Sequence, residues 1–593
     1  MPVTCHTGGL EMHPLFLTIG NIQSDIRMQA MSHAWHCIAF IPSPEFKVNC
    51  AFKSLLSAHV FHWLLDDVSA NLKAAALDGC DLTDPSGYQH NCYTPLVSYI
   101  ADLPEQQLVS GVSRNASPVM LTEIAQFGDS TPAAPRTHEH TLRLILDLCN
   151  AVDAWDLAAF QKAAKALKLL GVHLPFWQDW MFSNPSLFLT SKILHTLHKF
   201  FFNHILAWCK EVAGSHTLDV QFSHLHPRIS FHHFSSGVSQ PLKMTGHDHH
   251  DIERTIAPIL DGAGKVTDDF ILAIRTMVEF IYHAQNSVHT DSSITVMEKA
   301  LSRFHEKKQS IITLGGRKNH FKIPKLKLMQ SFTQQTKANS ALIQYMADVT
   351  EQLLITHCKT TFQRTSRQTS TYVDQVVDIL NREETMRLFD LYIVLHRAEH
   401  TAMETVVQAE SEEVTTLDPT LEFIQRVAPE MESTFHGPCP FRNHFQNPKS
   451  LLSMDGEVAL HTTICPDHKT LTVASMQATY NLPDLPALIN RYIIEALQDH
   501  SRLDWTHAVT TSAWNKFRVQ LHSSFRSRFV EKSQVVQACP PLGEYPLGRC
   551  DAVLLHSQDH YGMIYCFPHS PADYFLSCRS SPSSVHADRP WIT

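Results

Sequence analysis

The chain is poor in the features that would place it quickly. Its 14 cysteines lie scattered from Cys5 to Cys578 and contain no C-x-x-C pair, which removes a zinc ribbon and a thioredoxin-type redox site. No secretory leader and no regular cysteine spacing argue for a disulfide framework, so a reducing compartment, nucleus or cytoplasm and not the secretory route, is expected. No window holds the roughly 18–20 consecutive apolar residues of a membrane span. Glycine is sparse, 20 in 593 residues, and no P-loop, dinucleotide-binding glycine pattern or G-x-S-x-G elbow occurs. Positive charge is also scarce overall. The formal net charge is -10 with histidines neutral, which argues against uniform coating by nucleic acid but leaves room for a local basic channel.

What is present is globular. Hydrophobic residues make up 44% and charged residues 18%, so the chain can bury large cores, and its length predicts several domains. Histidine is abundant at 39 residues, enough to move the charge balance on mild acidification. The runs Pro14–Gly20 and His36–Pro42 are apolar and closed by glycine or proline, which predicts strands. Apolar residues recur at helical spacing over 52–76, 142–170, 191–212, 269–285, 294–312 and 371–396, and Gly171 is the expected C′ residue of the second of these. Leu96–Ile100 reads as a short strand. Alternation over 457–473 predicts paired strands, 485–497 a short helix, and the Ser/Pro-rich end a disordered tail.

Four stretches carry possible chemistry. Asp102 follows the Leu96–Ile100 run, where a metal-binding carboxylate of an α/β nuclease would stand, but with Pro104 two residues on it also reads as a helix cap, and the cap is preferred. His195 and His198 stand three apart in a helical pattern, the spacing of a shared metal, although core or surface histidines are the commoner use. GHDHHD at 246–251 offers His247, Asp248, His249, His250 and Asp251 as ligands for a histidine-rich metal site. Neighbouring helical side chains diverge, however, so a helix start capped by Thr245 or Asp248, with Asp251 and Glu253 at its positive end, is favoured. The acid-free run Arg317, Lys318, Lys322, Lys325, Lys327 interleaves cations with His320 and Phe321. It suits either a solvated connector or phosphate contacts, as does the later run with Arg518, Arg526, Arg528 and Lys532.

An ordered set of phrases then resembles one family. HPLFLTIGNI, YIADLPEQQL, NASPV with FGD, ILHTLHKFFFNHILAWC, VSQPLKMTGHDHHD, FIYHAQ, HFKIPKLKLMQSF, YMADVTE, WNKFRVQLHSSF and VVQACPPLGEYPLGRCDAVLLH run in order from about 12 to 557. Together they resemble the Plavaka group of CACTA-like cut-and-paste transposases of basidiomycete fungi. The resemblance implies an α/β plus mainly α chain: a partial RNase H-like core of the DDE type with a large helical insertion, followed by a small α+β region. It divides the chain into core (1–140), helical insertion (141–300), basic connector with the rest of the core (301–400), linker (401–450), small α+β domain (451–557) and tail (558–593). It implies Mg²⁺ or Mn²⁺ held by carboxylates for phosphoryl transfer, because such ions prefer oxygen ligands. Asp102 and Glu351 are the implied catalytic and metal-binding acids, with Glu279 and Asp348 as alternatives. His195 and His198 stand where related transposases carry a histidine motif. The family's first catalytic aspartate precedes the segment resembling HPLFLTIGNI, and CHTGGLEM contains none. The expectation is therefore an N-terminally truncated, transposase-derived protein, catalytically silent, that keeps DNA as its partner and has no membrane partner. Homo-oligomerisation is left open. Two rivals stand beside it: a domesticated DNA- or protein-binding module, and a histidine-rich metalloenzyme centred on 247–251.

Overall fold

The computed structural model of the protein describes residues 3–4, 10–22, 24–83, 88–190, 192–225, 232–239, 246–408, 443–452, 456, 458–480, 482–487, 490, 510–522, 530–531, 533–540, 549–550, 552–557 and 560–565. The chain divides into two compact units, one of residues 1–218 with 241–438 and one of 219–240 with 439–593. About half of the chain is helical and the sheets are small and antiparallel.

In the first unit, β1 (Pro14–Leu17) pairs with β2 (His36–Phe40), as the two apolar runs predict. Helix α1 (Cys50–Asp78) follows. Its Leu55, Phe61 and Leu65 are buried, the spacing of one helical face. Leu96–Ile100 is not a strand. The segment runs without a ladder because its polar groups are taken elsewhere: the Tyr99 amide donates to Phe188 O at 2.6 Å, and the Ser98 and Thr190 hydroxyls share a hydrogen bond at 2.5 Å. The aromatic stretch around 176–188 lies in the core with Phe61, Leu65 and Leu328. Trp177 and Trp180 are held by indole N–H bonds to Val109 O (2.6 Å) and Thr94 O (2.9 Å).

The helical pair expected over 142–170 is His138–Ala151 and Leu157–Ala166. It does not end on Gly171. Lys168 takes the left-handed conformation at φ 60°, its amide and that of Leu169 returning to Lys165 O and Ala164 O. Gly171 is needed for a different reason, since a Cβ there would sit 3.1 Å from Leu55 Cδ1 at φ +103°.

Residues from Ile193 to Ala213 form one helical stretch broken by two π-helical turns, Leu194–His198 and Phe201–Leu206. Then come α2 (Gly246–Ile259), α3 (Asp268–Ala284) and α4 (Asp291–Lys307). Helix α3 buries Phe270, Ile274, Met277 and Ile281. Helix α4 opens with a capping box between Thr290 and Ser293. Two short helices, α5 (Pro324–Leu328) and α6 (Asp348–Leu353), precede the long α7 (Tyr372–Gln408), which runs past the expected end at 396 and through the first residues assigned to the linker.

In the second unit a five-stranded sheet has the order Arg549–Cys550, Gln534–Cys539, Lys516–Leu521, Val458–His461, Leu451–Leu452. The two strands expected over 457–473 form, as Val458–His461 and His468–Thr472, but not with each other. The first pairs with Lys516–Leu521 and the second with Thr510–Ala513. His560–Tyr565 pairs with Ala552–Ser557, so the part of the expected tail that is described is strand. The rest of that tail, 409–442 of the expected linker, and most of the helix expected over 485–497 lie outside the described residues. Among the described residues, no helix is long and apolar enough to cross a membrane.

Candidate functional site

The π-helical stretch organises the site. In an α-helix, residues three apart share a face. A π turn adds a residue to the turn and spreads them around the axis. His195 and His198 accordingly face different surroundings.

His195 lies on the more open side. Its Nδ1 is 3.7 Å from a carboxylate oxygen of Glu351 on α6, and its backbone carbonyl accepts a hydrogen bond from Lys325 Nζ on α5. Burial, followed by the charges of Lys192, Lys199 and Lys325, holds the imidazole down at about 4. Lys325 is itself lowered to about 8 by burial and by Lys199, with Asp102 pulling the other way. Further along, His204 is held at about 4 by burial, Arg317 and Lys325. Arg317 stacks over Trp208 and Phe321, with its guanidinium 6.0 and 5.7 Å from the ring centres. Lys192 and Lys199, beside and on this stretch, therefore stand with Lys325 of α5 and with Arg317 as a strip of cations around its histidines, and their charges add to burial in lowering His195 and His204.

The acids are arranged around that strip. Asp102 is the N-cap of the helix Leu103–Val109, its carboxylate accepting the Glu105 amide at 3.2 Å, and it also interacts with Lys325. Asp348 begins α6 and is raised by desolvation while His198 lowers it. Glu351, one turn later, is raised by desolvation, lowered by Lys192, raised by Asp348 and lowered by Lys199. Glu279 is elsewhere in use, paired with Arg275 at 2.8 Å along α3.

His198 points inward. Its Nδ1 lies 2.8 and 3.0 Å from the two oxygens of Glu253 on α2, and both side chains are essentially sealed, 1% and 0% exposed. His250 packs its ring 3.8 Å from that of His198. Among the described residues, His198, His250 and Glu253 are the group of three ligand-bearing side chains whose donor atoms all lie within 4.8 Å of one another. The helix start expected at GHDHHD is present, with Asp248 in the first turn of α2. Its side chains diverge as anticipated: His249 stacks on Phe202 (4.5 Å, 19°), and Asp251 is buried with Arg254 at 3.6 Å. What sequence reasoning missed is Glu253, taken only as a charge suited to a helix start. The signal that finds it is His250-x-x-Glu253 on one helical face, read against His198 from another segment.

The basic connector splits in two. Lys318 and Lys322 are exposed and Arg317 and Lys325 half-buried, whereas Lys327 is 2% exposed and donates to Thr131 O at 2.6 Å. With Lys308 to Gly128 O and Gln330 to Asp129 O it clamps the 128–131 loop. Gly128 is required there, because a Cβ would lie 2.9 Å from Phe321 O. Lys327 is thus a core residue, because α5 turns it inward, and not a surface contact as the charge run suggests. In the second unit, Arg518 is exposed on the strand Lys516–Leu521. Arg526, Arg528 and Lys532 lie outside the described residues.

The donor sets discriminate between metals. Mg²⁺ asks for near-octahedral oxygen ligands. Asp102, Asp348 and Glu351 do not form a three-carboxylate group within ligand range, and Asp102 already accepts a backbone amide. These acids do not fit that ion as placed.

Residues 1–209 match the family model described as Plavaka transposase, and residues 441–562 match a domain of unknown function, DUF6830. The first match includes Asp102, His195 and His198 and ends before Glu253, Glu351 and the basic connector. It supports a transposase-derived protein. No curated protein and no solved structure matches.

Proposed function

We propose that the chain is a transposase-derived DNA-binding protein of the DDE, CACTA-like kind that holds nucleic acid along the cation strip without cutting or joining it. The observation that carries this is the crowding of Lys192, Lys199, Lys325 and Arg317 around His195 and His204. A group of cations gathered around two depressed histidines is short of negative charge, and a phosphate backbone supplies it. Exposed Lys318 and Lys322 extend the strip. The catalytic half of the family's chemistry has less support. In-line phosphoryl transfer by two metal ions needs converging carboxylates. Here Asp102 caps a helix and interacts with Lys325, and Glu351 faces His195. The RNase H-like core is kept as the fold implied by the family, with the nucleus or cytoplasm as the compartment.

Fluorescence anisotropy of the full chain on duplex DNA tests the binding half. Affinity should fall with salt, and the triple variant K192Q/K199Q/K325Q should flatten the log–log salt slope by about two to three, near one per phosphate contact removed. No binding at low salt rejects it. A strand-nicking assay with Mg²⁺ or Mn²⁺ tests the other half, since activity abolished by Asp102→Ala would show a working enzyme.

A further inference from the structure

We propose that His198, His250 and Glu253 form a binding site for one zinc-class divalent ion that fastens α2 to the π-helical stretch. This does not depend on the DNA-binding reading and uses none of its cations.

Two imidazoles and one carboxylate are the donor set of borderline ions such as Zn²⁺, in the ligand types and number that leave one position for water. Donors around a tetrahedral Zn²⁺ at ~2.0–2.1 Å stand about 3.4 Å apart. The three side chains here already hold their donor atoms within 4.8 Å of one another, and the His198–Glu253 contact at 2.8 Å opens to that spacing by small side-chain rotations. The set is assembled from two segments 55 residues apart in sequence, so it is a product of packing and not of one local motif.

A second observation points to a ligand. His198 turns Nδ1 to Glu253 on a side chain only 1% exposed. Glu253 is fully sealed as well, and burial pushes its carboxyl up against the pull of His198 and Arg254. A carboxylate enclosed in this way is costly unless a cation meets it. A divalent ion among the three would neutralise Glu253 and occupy one lone pair on each imidazole, and it would cross-link two helical segments that otherwise meet through side-chain packing and the His198–Glu253 hydrogen bond. His250 is half-buried, which gives the ion a path in and a water a place to sit.

The site differs from a Mg²⁺ centre in kind. It offers one carboxylate and two nitrogens, so Mg²⁺ should compete poorly for it. Its role is to hold structure, since Glu253 and His198 are both sealed from solvent.

The test uses the full chain. The protein is stripped with a chelator, reloaded with Zn²⁺, freed of loose metal and assayed by elemental analysis, with affinity measured against a chromophoric chelator. One equivalent per chain is expected, with thermal unfolding shifted upward by Zn²⁺ and not by Mg²⁺. His250→Gln should weaken binding at least 10–100-fold and remove the thermal shift, and Glu253→Gln should do the same. Circular dichroism of His250→Gln, whose side chain is not fully enclosed, checks that the variant is folded. Co²⁺ provides an independent readout: a tetrahedral visible absorption that His250→Gln abolishes is expected. Binding by the other histidines alone would leave stoichiometry and affinity the same in wild type and His250→Gln, and that result overturns the proposal, as does a wild-type chain that retains no metal.

Discussion

His195 and His198 stand three residues apart on one helical stretch and lie in opposite kinds of environment. Around His195 the site is partly open and rich in cations, and its acids lie at the margin, Glu351 standing 3.7 Å from the ring. Around His198 the ring and its one carboxylate partner, Glu253, are both enclosed, and the carboxylate meets the ring directly. The open side is short of negative charge and the closed side encloses one. The difference teaches that the same residue type at the same spacing serves two ends. The open side is suited to an anion that comes and goes, and the closed side to a contact, or an ion, that stays.

The sharpest way to break this contrast is Glu253→Ala. If the closed side is a buried charge pair, removing one member should cost about 3–5 kcal/mol in urea unfolding, because His198 is left without its partner. A loss below ~1 kcal/mol would mean that the enclosure is looser than the geometry indicates.

Acid comes next, and it tests another enclosed histidine. His62 is fully buried, with Nε2 against Leu108 O at 3.0 Å and Nδ1 accepting the Phe176 amide at 3.2 Å, and burial lowers it to about 4. In the unfolded chain it takes a proton near 6.5, so the unfolded state binds more protons between those values. Stability is therefore fully present above about pH 6.5 and lost as pH falls toward 4, by roughly 3 kcal/mol from this group alone. Unfolding midpoints that stay level from pH 7 to pH 4.5 would contradict it.

The basic connector allows the same contrast within eleven residues, 317–327. Lys327→Met removes a buried ammonium from Thr131 O and should cost about 1.5–3 kcal/mol while leaving the DNA salt slope unchanged. Lys322→Gln, on an exposed side chain, should leave the unfolding midpoint where it is and lower the salt slope by about one. Exchange of these two outcomes would place the phosphate contacts on the wrong side of the connector.

Much of the local structure was legible beforehand, because it depends on neighbours in sequence. Asp102 with Pro104 two residues on read as a cap and is one, and the GHDHHD cluster read as a helix start and is one. The apolar spacings over 52–76 and 269–285 give helices with their stripes buried. Errors arose where a local pattern was settled by distant partners. Leu96–Ile100 has the composition of a strand, but Phe188 and Thr190 take its hydrogen bonds. The strands over 457–473 alternate correctly, yet alternation does not name a partner, and each found a different one.

The sequence by itself determined where helices and strands form, which residues cap them and where positive charge concentrates, since periodicity, capping and composition are short-range properties. Only the tertiary structure decided which lysine of the connector is buried, that the π turn Leu194–His198 sends His195 and His198 apart, and that Glu253 closes on His198 from 55 residues away. The physical reason is desolvation. What a charged or ligating side chain can do depends on how much water and which opposite charges surround it, and those are supplied by segments that meet only when the chain has folded.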